Sequence, residues 1–350
     1  MINDQEKLNQ LLLHLSAADW IALDTEADSL HAYPEKLCVL QISIAGRDEL
    51  IDPLAVLRLD PLWPILATHE LVLHGADYDL RLLRRGFSFV PHEIFDTMLA
   101  ARLLGYREFS LTSLVRDKLG VTLEKGPQKM DWARRPLTER MERYARNDTR
   151  FLWPLAASLR DELEAKGRLS WHKESCTRLI KDTSQERRPD PETIWRLRGS
   201  DRLSSKALGV LRELWHWREA EALAANTPPY FILSHESLIA LAAKAAHTQD
   251  VPPLPRVSTK RKAGLADALE RGLKLRASDL PSPYQNKGRR LTRAEQMRTE
   301  ELRKRRDRRG QELGIDAALI ASRSTLIALV LDGETKAGEL MNWQRHLLFG

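Results

Sequence analysis

The sequence predicts an α/β front half followed by an all-helical back half. Two observations carry this. Up to about residue 160, short β-rich runs alternate with segments of helical apolar spacing; from Pro191 onward only helical spacing recurs. A third observation separates the halves chemically. Residues 1–160 hold 20 Lys/Arg and 23 Asp/Glu, whereas residues 161–350 hold 35 and 26, so the net charge of +6 joins an acidic front to a basic back.

Taken in order, Trp20–Leu23 reads as an apolar strand ending at Asp24. Leu37–Ile44 is a β-rich run, and Glu49–Asp52 ends a third strand at Pro53. Short polar links make these three a meander. Leu71–His74 is a fourth strand feeding a helix through Asp77–Leu83, and Glu93–Asp96 a fifth before a helix over 97–104. Ser110 is placed to cap a helix through Leu119. Leu137–Thr138 opens a long helix that Pro154 kinks or divides. Linkers are expected at 181–191 and 281–290, with an extended link at 251–255, each rich in proline or polar residues. Between and beyond them, helices are expected over 203–225, 234–246, 265–275, 292–309, 313–331 and 337–348.

With 350 residues, about two or three domains are expected. Hydrophobic residues at 43% supply real cores, and no run approaches the ~18 apolar residues of a membrane span. The N-terminal twenty residues lack the pattern of a secretory signal. Two cysteines, Cys38 and Cys176, exclude a disulfide framework or a cysteine zinc module. These features lead to the expectation of a cytoplasmic chain with no membrane or disulfide-linked partner. The stretch 251–310, with 18 Lys/Arg against 7 Asp/Glu, points to a polyanion such as nucleic acid.

The candidate chemistry lies in four acids and a tyrosine. Asp24 and Glu26 stand two apart at a strand end, so their side chains point the same way. Asp79 follows the fourth strand. Tyr144 and Asp148, four apart, share one helix face. Gathered carboxylates repel, and hard divalent cations such as Mg²⁺ or Mn²⁺ suit such oxygen donors. Each element alone is common; their order along a β-β-β-α-β-α pattern is what makes them a site. Asp77 can supply the second-segment acid as readily as Asp79. His74 and Asp96 lie beside these segments, as a wall residue and a helix cap respectively.

Three segments, ALDTEADSL, HGADYDLRLL and YARNDTRFL, resemble the exonuclease motifs of the DEDD superfamily, and the tyrosine makes the third segment DEDDy-like. The runs DTEADSLHAYPEKLCVLQIS and FDTMLAARLL extend the likeness to the bacterial ribonuclease D family. The resemblance implies a ribonuclease H-like fold with a mixed five-stranded sheet at 1–175, a linker at 176–195, an HRDC domain at 196–282 and a diverged HRDC-like unit at 283–350. It also implies a 3′→5′ exonuclease using two divalent ions. Asp24, Glu26, Asp79 and Asp148 would be ligands, Tyr144 would orient the attacking water, and nucleoside 5′-monophosphates would be released. The family pattern favours Asp79 over Asp77, since the acid precedes Leu80-Arg81-Leu82-Leu83.

RNA is the expected partner, with tRNA precursors implied only by the family, and a monomer is the default. A DNA exonuclease and a non-catalytic RNA-binding protein are the alternatives; the intact acid set argues against the second. In the basic helix, Arg303, Arg305, Arg306 and Arg309 are candidates for sequence-independent phosphate contact, although the arginines wrap around more than one face and Glu300 and Glu301 offer internal partners. In the HRDC-like part, Leu211 and Trp215 read as core.

Overall fold

The computed structural model describes residues 1–55, 57–124, 126, 128–185, 190–253, 258–284 and 290–350. The chain divides into two compact units. Met1–Ala27, Leu37–Glu186 and Arg290–Gly350 form the first, and Asp28–Lys36 with Arg187–Arg289 the second.

The first unit opens with α1 (Gln5–Ser16), β1 (Ile21–Ala27), β2 (Leu37–Ile44), β3 (Arg47–Ile51), α2 (Leu62–Ala67), β4 (Glu70–Leu73), α3 (Asp77–Phe87) and β5 (Glu93–Asp96). It continues with α4 (Thr97–Leu104), α5 (Leu111–Leu119), α6 (Glu139–Arg150), α7 (Leu152–Ala165) and α8 (Leu169–Ser184). The strands form one mixed sheet in the order β3-β2-β1-β4-β5. The first three are antiparallel neighbours, and β1, β4 and β5 run parallel. Strand pleating splits the side chains between two layers. Ile21, Leu23, Leu71, Leu73 and Ile94 join α1, α2 and α3 on one face. Ala22, Val72 and Phe95 join α4, α5 and α7 on the other. On that second face α6 covers β2 and β3 through Met141 and Ala145, which pack on Val39 and Leu50.

Several elements differ from the sequence expectation. β1 does not stop at Asp24; it carries the acids within the strand, paired to β2 as far as Ala27. The long helix breaks at Phe151, where the backbone leaves helical values, so Pro154 falls in the first turn of α7. A missing N–H costs nothing in a first turn. α8 was not expected at all. Its buried side chains, His172, Cys176 and Thr183, recur at helical spacing but two are polar, so no apolar stripe shows. The expected domain end at 175 falls inside α8. The expected linkers at 181–191 and 281–290 and the link at 251–255 lie partly outside the described residues.

The second unit contains α9 (Ser205–Ala224), the one-turn α10 (Pro229–Ile232), α11 (His235–Thr248) and α12 (Thr259–Lys274). Ser204 and Ser234 cap α9 and α11 by accepting backbone N–H bonds. Leu211, Leu214, Trp217, Leu238 and Leu265 fill the core, and Trp215 lies at its edge. Gly272 permits close packing of α12 on α9: a Cβ there would stand 2.6 Å from the Val210 Cα.

The chain closes with α13 (Arg293–Leu313), α14 (Ala317–Ile320), α15 (Arg323–Gly338) and α16 (Asn342–Phe349), all in the first unit. Thr292 and Glu295 form a reciprocal capping box at the start of α13. A helix over 313–331 does not form, because Gly314 takes a left-handed conformation (φ 67°) and ends α13. Ile315, Ile320, Leu326, Trp343 and Leu347 then pack into the same core as α5 and α7.

Candidate active site

The pleat of β1 decides which way the acids face. Ala22 lies on the α6 side of the sheet, so Asp24 and Glu26 do too, whereas Thr25 points to the opposite side. There the Thr25 hydroxyl donates to Asp79 in the first turn of α3. α6 lies across β1 and β2, tied down by a 2.7 Å hydrogen bond between Ser43 and Thr149. Its Tyr144 and Asp148 thereby meet Asp24 and Glu26. The side chains of Asp24, Glu26, Tyr144 and Asp148 line a cleft of about 930 Å³, with His74, Gly126, Gln128 and Asn147 also on its walls. Asp79 is buried behind them.

The electrostatics are those of unneutralised charge. Burial, then the charges of Asp79, Asp148 and Glu26, hold the Asp24 carboxyl well above the usual range. Burial, then the charges of Asp148 and Asp79, push Glu26 up to about 9. Burial raises Asp148 to about 7 against the pull of its bond from Tyr144. Asp79 rises to about 6, again by burial, with the Thr25 hydrogen bond opposing. No ion pair among the described residues reaches any of the four. Such a cluster is suited to cations, and its all-oxygen donors fit Mg²⁺ or Mn²⁺. Among the described residues, no three acidic, histidine or cysteine side chains already stand in coordinating geometry.

Asp77 does not join them. It is exposed and holds Arg81 through two 3.0 Å hydrogen bonds on the outer face of α3. Asp96 is a cap: its carboxylate accepts from the backbone N–H groups of Gly75, Ala76, Met98 and Leu99 at 2.8–3.1 Å. It fixes the turn after β4 and the start of α4 together. Burial lowers the pKa of His74, with the charge of Asp96 opposing. The Thr97 hydroxyl donates to the Leu73 carbonyl, so its oxygen takes the His74 Nδ1–H at 2.9 Å.

Sequence reasoning missed two residues that hold the tyrosine. Gln128 hydrogen-bonds the Tyr144 hydroxyl, which in turn bonds Asp148. The Tyr144 ring lies across Gly126 so closely that any Cβ at 126 would overlap it. The signal was present in the sequence as a glycine and an amide, but only tertiary packing brings Gly126 and Gln128 to Tyr144 on α6.

The basic helix is internally engaged. Arg303 bonds Glu300 and Asp307, and Arg309 bonds Glu312. Arg305 donates to the Gly350 carbonyl. Arg306 is largely buried and reaches Asp307 and the Ala321 carbonyl.

Residues 1–164 match the family model described as a 3′-5′ exonuclease, and 207–251 match the HRDC domain model. Ribonuclease D of Gluconacetobacter diazotrophicus is 31% identical, over 99% of this chain and 89% of that protein. Ribonuclease D of Zymomonas mobilis is 33% identical, over 97% and 83%. The chain belongs to the ribonuclease D family. It is therefore a hydrolase of the 3′→5′ exoribonuclease class, with an exonuclease domain, an HRDC domain and a helical C-terminus. The crystal structure of Escherichia coli RNase D superposes with a TM-score of 0.75 at 26% identity, covering 99% of this chain and 97% of that one. That protein is described as an exoribonuclease involved in structured RNA processing.

Proposed function

We propose that the chain shortens structured RNAs, tRNA precursors among them, from the 3′ end, releasing nucleoside 5′-monophosphates with the help of two divalent ions. The observation that supports this is the gathering of Asp24, Glu26, Asp79 and Asp148 into one cluster of mutually raised carboxyls, with no cationic side chain among the described residues to neutralise it. These four would hold Mg²⁺ or Mn²⁺. The ions would supply Lewis acidity, making a nucleophile available near neutral pH and stabilising charge on the leaving oxygen.

The remaining work falls to the protein. A water oxygen attacks the terminal phosphorus, the bond to the upstream 3′ oxygen breaks, and the proton passes to that oxygen or to solvent. Tyr144 orients the water through its hydroxyl. Burial and the Asp148 charge raise its pKa, so it stays a neutral phenol and positions rather than deprotonates. Gln128 and Asp148 fix the hydroxyl, and Gly126 leaves room for the ring. The cleft walls of Leu111, Leu123 and Met98 offer an apolar surface for a base without a sequence code.

We read α13–α16 as a diverged second HRDC-like module. Its order repeats that of the HRDC unit: a helix of 20 or 21 residues, a four-residue helix, a Ser-capped helix and a closing helix. The test of function is release of labelled nucleotide from 3′-labelled RNA and DNA of one sequence, with Mg²⁺, Mn²⁺ or EDTA. Release from RNA that EDTA stops is expected. Release from DNA at an equal rate favours a DNA exonuclease, and no release favours a binding protein.

A further inference from the structure

Gln41 stands out among the buried polar groups. It is fully buried, and neither its amide nitrogen nor its amide oxygen has a hydrogen-bond partner. The other unpartnered buried side-chain atoms among the described residues are single indole or guanidinium nitrogens. A buried amide left unpaired costs free energy, so it calls for a reason.

The sheet register supplies one. Gln41 of β2 is the direct partner of Asp24 on one side and of Leu50 on the other. Paired residues on adjacent strands turn their side chains to the same face, at ~4.5–5.5 Å between Cβ atoms. On the other side of β1, β4 pairs in parallel through Ile21–Leu71 and Ala22–Val72, and His74, just past the end of β4, lines the same cleft as Asp24. Asp24 thus has Gln41 as its direct cross-strand neighbour.

Along β2 the same face carries Val39 and Ser43, and the Ser43 hydroxyl is engaged by Asp48 and Thr149, each at 2.7 Å. Leu50 and Val39 offer no side-chain acceptor. Of these four neighbours, only Asp24 presents a side-chain acceptor besides the engaged Ser43 hydroxyl.

We propose that Gln41 is a positioning residue of the active site: its amide N–H, unpartnered here and set opposite Asp24 by the strand register, donates to the Asp24 carboxylate when that group is ionised and holds it in its ligating orientation. This rests on the reading of Asp24 as a metal ligand. Gln41 touches neither RNA nor the reacting phosphate; it acts through Asp24. The unpaired amide is then a stability cost kept for function, and this gives the proposal a signature that packing alone lacks.

The experiment uses the full chain with Gln41→Leu and, should that variant fail to fold, Gln41→Met. Three quantities are read: the melting temperature in EDTA, Mn²⁺ affinity by calorimetry without RNA, and kcat and KM on a 3′-labelled RNA. The expected result is a melting temperature equal to or above wild type, Mn²⁺ affinity lower by about tenfold, and kcat lower with KM nearly unchanged. A tenfold loss is at the low end for a hydrogen bond to a charged group. Unchanged Mn²⁺ affinity overturns the proposal, whatever the melting temperature does. Because Mn²⁺ binding is read without RNA, a wild-type protein that binds Mn²⁺ but cleaves no RNA would refute the proposed function and leave the Gln41 comparison intact.

Discussion

Replacing Asp148 with asparagine should make the metal-free protein more stable and inactive at once. Asp148 stands at about 7 in the fold, against an ordinary 3.8. A raised carboxyl pKa means that the native state holds its proton more tightly than the unfolded chain. The stability from this group is fully present below about pH 4 and is lost as pH rises through 7. The difference of about 3 units, at ~1.36 kcal/mol each, amounts to about 4 kcal/mol at pH 8 or above. Asparagine removes that penalty. It returns part of the gain, because a neutral amide accepts a weaker hydrogen bond from Tyr144 than a carboxylate does. A net gain of ~2 kcal/mol is expected at pH 8, or roughly 4–8 °C in melting temperature. At pH 4 the two proteins should melt within about a degree of each other. The assay is thermal unfolding in EDTA at both pH values, with RNA hydrolysis measured in parallel. An Asp148→Asn variant no more stable than wild type at pH 8, or equally stabilised at pH 4, would refute the electrostatic reasoning.

Other consequences are as specific. Tyr144→Phe keeps the ring over Gly126 but removes the hydroxyl; kcat should fall by ~100-fold, the scale of a lost orientation, while calorimetric Mn²⁺ binding persists, and an unaltered kcat would argue against water orientation. Gly126→Ala puts a methyl where the Tyr144 ring lies; kcat should drop similarly with far-ultraviolet circular dichroism unchanged. Arg306→Ala removes bonds to Asp307 and the Ala321 carbonyl and should cost about 1–3 kcal/mol in urea unfolding. Arg308→Ala, at an exposed ion pair with Glu312, should stay within ~0.5 kcal/mol.

What could be read from the sequence was set by local patterns. The boundaries of α4 and α5 are fixed by Asp96 and Ser110, caps whose partners lie two or three residues on. Asp24 with Glu26, and Tyr144 with Asp148, follow from the periods of a strand and a helix. The choice between Asp77 and Asp79 does not. Both lie in the first turn of α3, and only the Thr25 hydroxyl arriving from β1 separates the buried one from the exposed one. Gln41 lay in plain view in an apolar run, yet its place beside Asp24 depends on the β1–β2 register. The arginines of α13 show what charge counting leaves out: Glu300, Asp307, Glu312 and two backbone carbonyls bond Arg303, Arg305, Arg306 and Arg309, partners that no run of basic residues reveals.

The most direct test of the carboxylate cluster as a cation site is calorimetric titration of Mn²⁺ into the RNA-free protein at pH 7, in two buffers of different ionisation enthalpy. With Glu26 raised to about 9, Asp148 to about 7 and Asp24 well above its usual range, cation binding must displace protons. Two Mn²⁺ per chain are expected, with release of at least one proton and of fewer in Asp24→Asn than in wild type. Saturable binding without proton release, or no saturable binding at all, would contradict it.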